Sequence, residues 1–285
     1  FILLNYSTRD IQSLVWPCRC IQDKMAAEIK NSSPALALVL APYDPSGGAH
    51  LPADALTGAR LGCHIVSVPT ALLVRDSAQQ ENIQTLAEDI ADDQARCLLE
   101  DMNIQAIKCG PVYSPEIASM VAELCSDYPE LPLVLHLSAM PTGLDELDAD
   151  DALDASLRLL LPLSSLLLID HPSLERWQAD ELLGDTPDAV ETLLNNGANA
   201  VLVTGVPGTA GQWHTRFQGH HGRLDYSMPL DGGVRQQDID SLLATACLSF
   251  LAQGHELDNA VESALLHLQE RAGDTFQTGM GHRLF

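Results

Sequence analysis

The hydrophobic positions of the chain form short apolar runs that are separated by longer segments of mixed polarity. The first run, residues 35–41, is apolar throughout and predicts a strand that is buried on both faces of a sheet. Similar runs follow at 65–73, 104–108, 132–138, 165–169 and 199–204, and helix-like segments lie between them. This alternation is typical of βαβ units, so the sequence predicts an α/β fold with a mostly parallel central sheet.

Helix boundaries carry their own signals. Ser114-Pro-Glu combines a capping hydroxyl with a proline in the first turn and predicts the start of a helix. In the segment 186–197, Thr186 is the predicted cap and Gly197 the predicted stop.

The alternation of apolar runs and helix-like segments ends after residue 204. Residues 213–217 and 223–227 predict two strands around a turn, which is a β-hairpin rather than a crossover. Two helices with apolar periodicity then end the chain, at about 237–252 and 257–271. The expected architecture is therefore a single α/β domain with a late antiparallel hairpin.

Composition narrows the possible partners. The 285 residues carry a formal net charge of −24, which argues against nucleic acid and anionic membranes, because both require a basic protein surface. No apolar run approaches the roughly 18 residues of a membrane helix. Seven cysteines without C-x-x-C spacing indicate reduced thiols. These features predict a soluble, acidic, cytoplasmic protein.

Two clusters contain metal-ligating residue types at close spacing. Cys18-Arg-Cys20 has no second pair of ligands, and His220-His221 stands where the tip of the hairpin is expected. We therefore predict no metal site in this chain.

Residues 1–24 differ from the rest of the sequence. They lack the basic start, the unbroken apolar centre and the small-residue cleavage site of a signal peptide. The segment begins without methionine, and Met25 precedes a polar lead-in to the first strand. We expect residues 1–24 to be a non-native extension and residues 25–285 to form one domain. A genuine N-terminal arm is the alternative.

A glycine loop, Asp44-Pro-Ser-Gly-Gly-Ala49, follows the first strand. Pro52 can open a helix after it, and Gly62 would close that helix. A loop between a buried strand and a helix lies at the carboxyl end of a sheet, where open α/β proteins bind ligands. The loop has neither the Gly-Lys-Ser/Thr ending of a P-loop nor the G-x-G-x-x-G of a dinucleotide site, so it matches no phosphate motif.

This loop also carries a family resemblance. Together with Ala53-Asp54 it matches D-x-S-G-G-A-G-x-x-A-D of the hydroxymethylpyrimidine and phosphomethylpyrimidine kinases of thiamine biosynthesis, except that His50 replaces the last glycine. Weaker matches to that family follow in the same order at 68–71, 107–110, 160–162, 251–254 and 279–281. Residues 35–285 thus resemble this family. The resemblance implies a ribokinase-like three-layer αβα sandwich.

The resemblance implies that the loop belongs to a pyrimidine pocket rather than to a nucleotide site. Its glycines would let the backbone approach a flat ring, and Asp54 would lie beneath the loop unless it is only a first-turn helix acid. Arg75 replaces a ring-binding Gln or Glu and would favour an acceptor or an anion, unless it points to water. The implied substrate-binding residues are Asp44, Gly47, Gly48, Ala49, Asp54, Arg75 and Gly110. The family also implies a homodimer that uses ATP and magnesium.

At the phosphate-transfer positions the chain departs from the family. Thr204 replaces the lysine of V-K-G-G-H, Ser173 replaces the magnesium-side Glu of N-x-x-E, and His136 replaces the aspartate of L-D-P-V. An ungapped count back from residue 254 places the anion-binding G-T-G-C on Asp238-Ile-Asp-Ser241. Ser241 would then replace the catalytic cysteine without its function. Two acids would stand where bare backbone should bind phosphate, and they would repel it.

The two possible alignments lead to different functions. The ungapped alignment predicts a pseudoenzyme of the kinase family, with impaired or absent turnover, that binds a pyrimidine-like small molecule. A gapped alignment places the backbone donors at Asp231-Gly-Gly-Val234, where Gly232 and Gly233 would bind the nucleotide. That alignment predicts an active, ATP- and magnesium-dependent hydroxymethylpyrimidine or phosphomethylpyrimidine kinase. An interaction subunit is the third hypothesis.

The acidic composition gives a testable prediction. Lysine occurs only at positions 24, 30 and 108, and such a composition fits either a salt-adapted source or a simple solubility preference. If the acidic surface repels itself, the melting temperature should rise as KCl is raised to about 1 M, where the Debye length is about 3 Å. KCl is the appropriate salt, because sulfate would also strengthen hydrophobic burial. A flat or falling melting temperature would contradict salt adaptation.

Overall fold

The computed structural model describes residues 33–138, 146–208, 213–219, 222–228, 233–271 and 273–285. Within these ranges, Ala35–Phe285 belong to one compact unit. The expectations for residues 1–24, Met25, His220-His221 and Gly232 concern positions outside the described residues.

Strands and helices alternate along the chain. The strands of the described residues are β1 (Ala35–Tyr43), β2 (Cys63–Arg75), β3 (Gln80–Thr85), β4 (Ala106–Cys109), β5 (Leu133–His136), β6 (Leu166–Asp170), β7 (Ala200–Pro207), β8 (Trp213–Gly219), β9 (Gly222–Met228), β10 (Phe276–Gln277) and β11 (Arg283–Leu284). The α-helices are α1 (His50–Arg60), α2 (Glu88–Asp101), α3 (Pro115–Asp127), α4 (Glu146–Ala155), α5 (His171–Ala179), α6 (Ala189–Asn195), α7 (Gln236–Ala252) and α8 (Leu257–Glu270). A π-helical turn and a 3-10 turn, Ser156–Leu160 and Leu161–Leu163, continue α4.

One large sheet organises the molecule. Its order among the described strands is β3-β2-β1-β4-β5-β6-β7-β8-β9. The central strands are parallel to one another, and these are β2, β1, β4, β5, β6 and β7. At the two edges, β3 is antiparallel to β2, and the β8–β9 hairpin is antiparallel to β7. The predicted mostly parallel sheet with a late hairpin is confirmed.

Two apolar layers cover the two faces of this sheet. Alternate residues of β1 point to opposite layers: Leu38 and Leu40 belong to one, whereas Ala37 and Val39 belong to the other. Helices α2 to α6 contribute to the first layer and helices α1, α7 and α8 to the second. Both faces of the parallel strands are buried, which explains why these strands are continuous apolar runs in the sequence. Helices cover both faces of the sheet, so the expected three-layer αβα sandwich is confirmed.

The hairpin formed by β2 and β3 is not apparent from the apolar pattern. Strand β3 reads Gln-Glu-Asn-Ile-Gln-Thr and buries one side chain, that of Ile83. An edge strand with one solvent-exposed face needs few apolar residues, so a short polar strand of this kind gives only a weak strand pattern in the sequence.

Three of the five predicted helix boundaries are confirmed and two are wrong. Helix α6 ends at Asn195, two residues before Gly197, which has φ +116°. The Ser114 hydroxyl accepts from the Ile117 N–H at 3.2 Å, and α1 stops before Gly62, which has φ +74°. Helix α1 begins two residues before Pro52. The cap of α6 is Asp188 and not Thr186, because the Asp188 carboxylate accepts from two first-turn N–H groups.

The C-terminal segment returns to the carboxyl edge of the sheet. The His282 N–H donates to the Ser77 carbonyl at 2.9 Å, and the Arg283 N–H donates to the Gly233 carbonyl at 2.8 Å. A Cβ atom added to Gly281 would lie 2.2 Å from the Ser77 carbonyl oxygen. Gly281 is therefore required by its close approach to the β2–β3 turn. The two backbone hydrogen bonds join that turn, through the C-terminal segment, to the segment before α7.

None of the helices in the described ranges is long and apolar enough to span a bilayer.

Close packing of α1 on β2 gives a stability prediction. A Cβ atom on Gly58 would lie 2.3 Å from Ile65 Cγ1. We expect Gly58→Ala to lower the free energy of unfolding by about 1–2 kcal/mol, since overpacking costs about 1–3 and the helix gains only roughly 0.5–1. Urea unfolding measures it. In an Ile65→Ala background the loss should largely disappear, and an equal loss in both backgrounds would contradict this steric explanation.

Candidate functional site

The glycine loop follows β1 at the carboxyl edge of the sheet. Asp44 organises it, because its Oδ1 accepts from the Ser46 N–H at 2.8 Å and from the Ser46 hydroxyl at 2.7 Å. The Gly47 N–H donates to the Asp44 carbonyl at 3.1 Å, and Gly47 has φ +74°, a left-handed conformation that suits glycine. Ala49 is buried and precedes α1 as its cap residue. The loop is thus a closed polar turn.

Ion pairs close the outer side of this loop. Arg75 Nη1 lies 3.4 Å from Asp44 Oδ2, and both side chains are almost inaccessible to solvent. Arg235 Nη2 lies 3.7 Å from the same oxygen and 2.8 Å from Asp238 Oδ1. A Cβ on Gly48 would lie within about 3.1 Å of the Arg235 and Asp238 side chains. The expected anion for Arg75 is therefore a residue of the chain itself, Asp44, and the alternative of a solvent-exposed Arg75 is wrong.

A fully buried ion pair lies beneath the loop. Lys108 Nζ, on β4, is 2.8 Å from Asp54 Oδ1, on α1, and both side chains have no solvent exposure. The ammonium also donates to the Thr245 hydroxyl at 2.8 Å and to the Ser241 carbonyl at 3.1 Å. Burial lowers the pKa of Lys108, and the neighbouring Asp54 carboxylate opposes that effect. This cluster connects β4, α1 and α7 through polar contacts.

Ser241 is part of this buried cluster. Its hydroxyl accepts from the His50 N–H at 2.9 Å and can donate to Asp54 Oδ1 at 3.2 Å. The Thr245 hydroxyl donates to the same carboxylate oxygen at 2.6 Å. Ser241 is completely buried, so its hydroxyl takes part in packing the loop onto α7.

Two histidines face each other next to the ion pair. The rings of His50 and His136 have centroids 6.4 Å apart, and both side chains are completely buried. No ring nitrogen of either has a hydrogen-bond partner among the described residues. Burial, reinforced by the charge of Lys108, lowers the pKa of His50 to about 3 and that of His136 well below its ordinary value. Both imidazoles are neutral at pH 7.

The beginning of α7 carries two buried acids. Burial raises the pKa of Asp238 to about 6, although the Arg235 guanidinium opposes the shift. Burial and the nearby Asp170 raise the pKa of Asp240 to about 8, and Gln236 donates to Asp240 Oδ1 at 2.8 Å. At pH 7 Asp240 is mostly protonated and Asp238 is paired with arginine. The expected repulsion of phosphate by two bare acids is therefore wrong.

Thr204 and Ser173 stand where the resembled family has a lysine and a magnesium-side Glu. Both side chains are buried next to Asp170. Thr204 lies next to Asp170 in the register of β6 and β7, and its side chain is buried. Asp170 caps α5 by accepting from the Ser173 N–H at 2.8 Å and from its hydroxyl at 2.6 Å. Both oxygens of this carboxylate therefore have protein partners.

The remaining predicted site residues lie along the same edge. Gly110 follows β4, and a Cβ there would lie 2.8 Å from Ala41 Cβ, so its small size is used in packing against β1. Gly233 lies three residues before α7 under the Arg283 side chain, and its neighbour Gly232 is not among the described residues.

The acids of this edge do not fit a magnesium site. Magnesium takes near-octahedral oxygen ligands and is usually held by one or two carboxylates and substrate phosphates. Asp170 caps a helix, Asp238 pairs with arginine, and Asp240 is mostly protonated at pH 7. In the described ranges, no three His, Cys, Asp or Glu side chains are grouped so that they could hold a metal ion.

A surface cleft of about 440 Å³ lies elsewhere. Asn199, Phe217 and Asp258 are among its lining residues, at the amino end of β7 and the start of α8. Its lining residues include no grouping of nucleophile, base and cation. The carboxyl edge of the sheet is therefore the better candidate for the functional site.

Sequence reasoning missed three residues of the site. Lys108 could have been found, because it is one of three lysines in the chain and interrupts a predicted apolar strand. Arg235 carries no such signal, since its role depends on the distant Asp44. In the sequence His50 stands out only as a mismatch in the glycine motif, and its burial follows from tertiary packing.

The buried ion pair gives a second stability prediction. Asp54→Asn should destabilise the protein at pH 7 by about 3–5 kcal/mol, because it leaves the Lys108 ammonium buried without a counter-charge. Folding then disfavours the protonated lysine, so the unfolded state binds more protons and stability should rise with pH toward the unfolded pKa of about 10.4. Urea unfolding of both proteins at pH 7 and pH 9.5 should show a smaller difference at the higher pH.

The matched control removes both charges. Asp54→Leu combined with Lys108→Met should be closer to wild type in stability than Asp54→Asn, because no uncompensated charge remains buried. If Asp54→Asn is as stable as wild type, the ion pair does not support the fold.

Sequence comparisons place the chain among known kinases. The family described as phosphomethylpyrimidine kinase matches residues 44–285. The hydroxymethylpyrimidine/phosphomethylpyrimidine kinase of Streptomyces coelicolor is 29% identical over 252 residues, which cover 84% of this chain and 89% of the relative. The enzyme of the same name from Rhizobium meliloti is 28% identical over 258 residues, with coverages of 87% and 94%.

Solved structures agree with this relationship. A phosphomethylpyrimidine kinase from Clostridium difficile superposes with a TM-score of 0.66 at 24% identity and covers 82% of this chain and 98% of its own. Pyridoxal kinase of Bacillus subtilis, in an ADP complex, has a TM-score of 0.76 at 16% identity, with coverages of 88% and 96%. These two likenesses concern the fold, which is ribokinase-like as expected. Because the family match covers most of the chain, the protein belongs to the phosphomethylpyrimidine kinase family.

Proposed function

We propose that this protein is a member of the kinase family that binds a small, pyrimidine-like ligand and transfers phosphate weakly or not at all. The observation that carries the proposal is the beginning of α7. Residues 238–241 lie inside that helix, and their side chains are buried. A phosphate cradle needs free backbone N–H groups. Asp238 is in the first turn, but its N–H and that of Ile239 both donate to the Arg235 carbonyl, and the residues that follow use theirs within the helix.

The charges of the site support the same conclusion. Phosphoryl transfer requires positive charge at the moving phosphate. Three of the nearby cations are committed: Lys108 to Asp54, Arg75 to Asp44, and Arg235 to Asp238 and Asp44. Freeing one of them would leave a buried carboxylate without a partner, which is unfavourable.

Ser241 offers little general-base chemistry. Its hydroxyl accepts the His50 N–H and lies against the Asp54 carboxylate, which is already paired with Lys108. A serine needs a neighbouring base to become an effective nucleophile or proton acceptor. The low pKa of the buried His50 makes that imidazole a poor base.

The ligand class follows from the glycine loop and from the relatives. The loop keeps the family's D-x-S-G-G-A motif, and the curated relatives are named hydroxymethylpyrimidine/phosphomethylpyrimidine kinases. A pyridoxal kinase of the same fold is described in complex with pyridoxal, a ring of similar size. We therefore propose a flat heteroaromatic ligand, held near Asp44, Gly47, Gly48 and Gly110.

One observation favours an active kinase as the second candidate. Helix α7 begins at Gln236, so the glycine segment ending at Val234 directly precedes it, as the gapped alignment requires. Against this candidate, Arg283 covers Gly233, since a Cβ there would lie 2.6 Å from Arg283 Cδ. ATP and magnesium would be cofactors only in this candidate. The homodimer and the cytoplasmic location also stay predictions.

The proposal predicts the outcome of a kinase assay. With MgATP and hydroxymethylpyrimidine or its monophosphate, ADP release should be at background. The lost donors alone account for about 10²–10³ in rate, and losses within one catalytic unit need not add fully. An active family member assayed beside this chain is the control. Turnover within about a hundredfold of that control would instead favour the active kinase, and Gly233 would be the residue to substitute next.

Ligand binding is measured separately on the same preparation. Pyrimidines, pyridoxal and nucleotides are added one at a time, and the melting temperature is recorded, since a ligand of the folded state raises it. A rise with a ring compound supports the binding role. No rise with any ring compound at millimolar concentration would exclude it.

A further inference from the structure

The C-terminal hairpin, residues 276–284, lies against the glycine loop. The atom nearest to a Cβ built on Gly48 is Leu284 Cδ2, at 2.8 Å, so the Leu284 side chain packs directly on the loop. Leu284 is 4% exposed, yet among the described residues it belongs to neither of the two apolar layers of the fold. The glycine loop therefore helps to bury a leucine that the apolar layers do not bury.

This contact takes up the space proposed for the ligand. A glycine at position 48 leaves room for a flat ring to approach the backbone. In the structure the apolar side chain of Leu284 fills that room, whereas a Cβ on Gly47 would meet no atom of the described residues within 4 Å. A leucine side chain and a ring both bury apolar surface on the loop, and they cannot do so at the same position. A ring that packs on Gly48 must therefore displace Leu284.

Three backbone N–H groups anchor the hairpin to the rest of the molecule. The His282 N–H donates to the Ser77 carbonyl at 2.9 Å, and the Gly281 N–H donates to the Ser77 hydroxyl at 3.2 Å. The Arg283 N–H donates to the Gly233 carbonyl at 2.8 Å. The anchors are thus concentrated at two positions, the β2–β3 turn and the residues before α7.

The hairpin also has bonds of its own. Strands β10 and β11 pair over two residues each, and the Gln277 side chain donates to the Gly279 and Gly281 carbonyls. Phe276 is 52% exposed and Met280 is fully exposed, so the hairpin buries little apolar surface besides Leu284. Elements with few buried apolar contacts open at a low free-energy cost. The hairpin can therefore separate from the loop as a unit without unfolding the sheet.

We propose that the C-terminal hairpin is an autoinhibitory lid, in which Leu284 occupies the ring position on Gly48 and a ligand binds only when the hairpin is released. This inference rests on the proposed ligand-binding role. The apparent affinity for the ligand is then the intrinsic affinity multiplied by the fraction of molecules whose hairpin is open.

A disulfide lock tests the proposal within one protein. A Cβ built on Gly279 would lie 3.3 Å from Ser77 Cβ, close to the roughly 3.5–4.5 Å that a disulfide spans. Ser77→Cys combined with Gly279→Cys should hold the hairpin on the β2–β3 turn when oxidised and free it when reduced. Peptide mapping checks the bond. Each single variant, oxidised and reduced in the same way, controls for the seven cysteines of the chain.

Hydrogen exchange of the glycine loop is the readout that needs no ligand. The Gly48 N–H has a long hydrogen bond, 3.4 Å to the Ser46 hydroxyl, so its protection depends on what covers the loop. We expect the amides of residues 45–49 to exchange about tenfold more slowly in the oxidised double variant than in the reduced one, because exchange follows opening. The single variants should show no such difference.

Ligand binding is measured on the same two samples. Hydroxymethylpyrimidine is titrated into the oxidised and the reduced double variant, and the heat of binding gives Kd. We expect a Kd about tenfold higher, or no binding, in the oxidised protein, because the locked hairpin keeps Leu284 on Gly48.

A steric variant opens the hairpin without a disulfide. Gly281→Ala places a Cβ 2.2 Å from the Ser77 carbonyl oxygen and should favour the open hairpin. Gly273→Ala makes the same chemical change where a Cβ meets no described atom within 4 Å, so it is the matched control. Relative to wild type, we expect about tenfold faster exchange at residues 45–49 and about tenfold tighter binding for Gly281→Ala alone.

Two results would overturn the proposal. In the first, the loop exchanges equally fast with the hairpin locked and free, so the hairpin is not its cover. In the second, hydroxymethylpyrimidine binds the locked and the free protein with the same Kd, so a ligand binds with Leu284 in place. The disulfide pair decides if Gly281→Ala does not fold.

A failure of the proposed function gives a different result. If no ring compound binds any of these proteins while the loop exchange responds to the lock as expected, the proposed ligand class is wrong. The exchange data then still support the hairpin as the cover of the glycine loop.

Discussion

The carboxyl edge of this protein depends on the need to satisfy one buried lysine. An ammonium without solvent exposure is stable only with a counter-charge and further acceptors, and Lys108 has Asp54, Thr245 and the Ser241 carbonyl. These partners come from α1 and α7, so the lysine fixes both helices relative to β4. The glycine loop leads directly into α1, and its position therefore follows from the same ion pair.

This constraint explains the polar side of α7. Ser241 and Thr245 are one helical turn apart and both face the ion pair, whereas Leu243 and Cys247 pack in the apolar layer. A hydroxyl at 241 is thus useful to the fold whether or not it takes part in chemistry. That structural role weakens any argument that equates the residue at this position with a catalytic group on alignment alone.

Much of the fold could be predicted from the sequence, because buried parallel strands give continuous apolar runs and caps such as Ser114 act locally. The short polar strand β3 gave too few apolar positions to be found. The site was predictable only as far as the glycine motif. The pairing of Arg235 with Asp44 spans 191 positions of the chain, and nothing local to either residue indicates it. The protonation of Asp240 likewise follows from burial and from Asp170, both of which are tertiary effects.

Under the proposed function, the start of α7 explains how the fold can persist without binding phosphate. A helix N-terminus favours a nearby negative charge, which a ligand can supply. Here the first turn of α7 carries its own carboxylate, Asp238, and Arg235 just before the helix pairs with it. The chain thereby provides internally both the anion and the cation that such a site would otherwise use for a ligand. Since these charges neutralise each other within the fold, the proposed loss of phosphate binding would leave no buried charge uncompensated, and the sheet and its helices would stay stable.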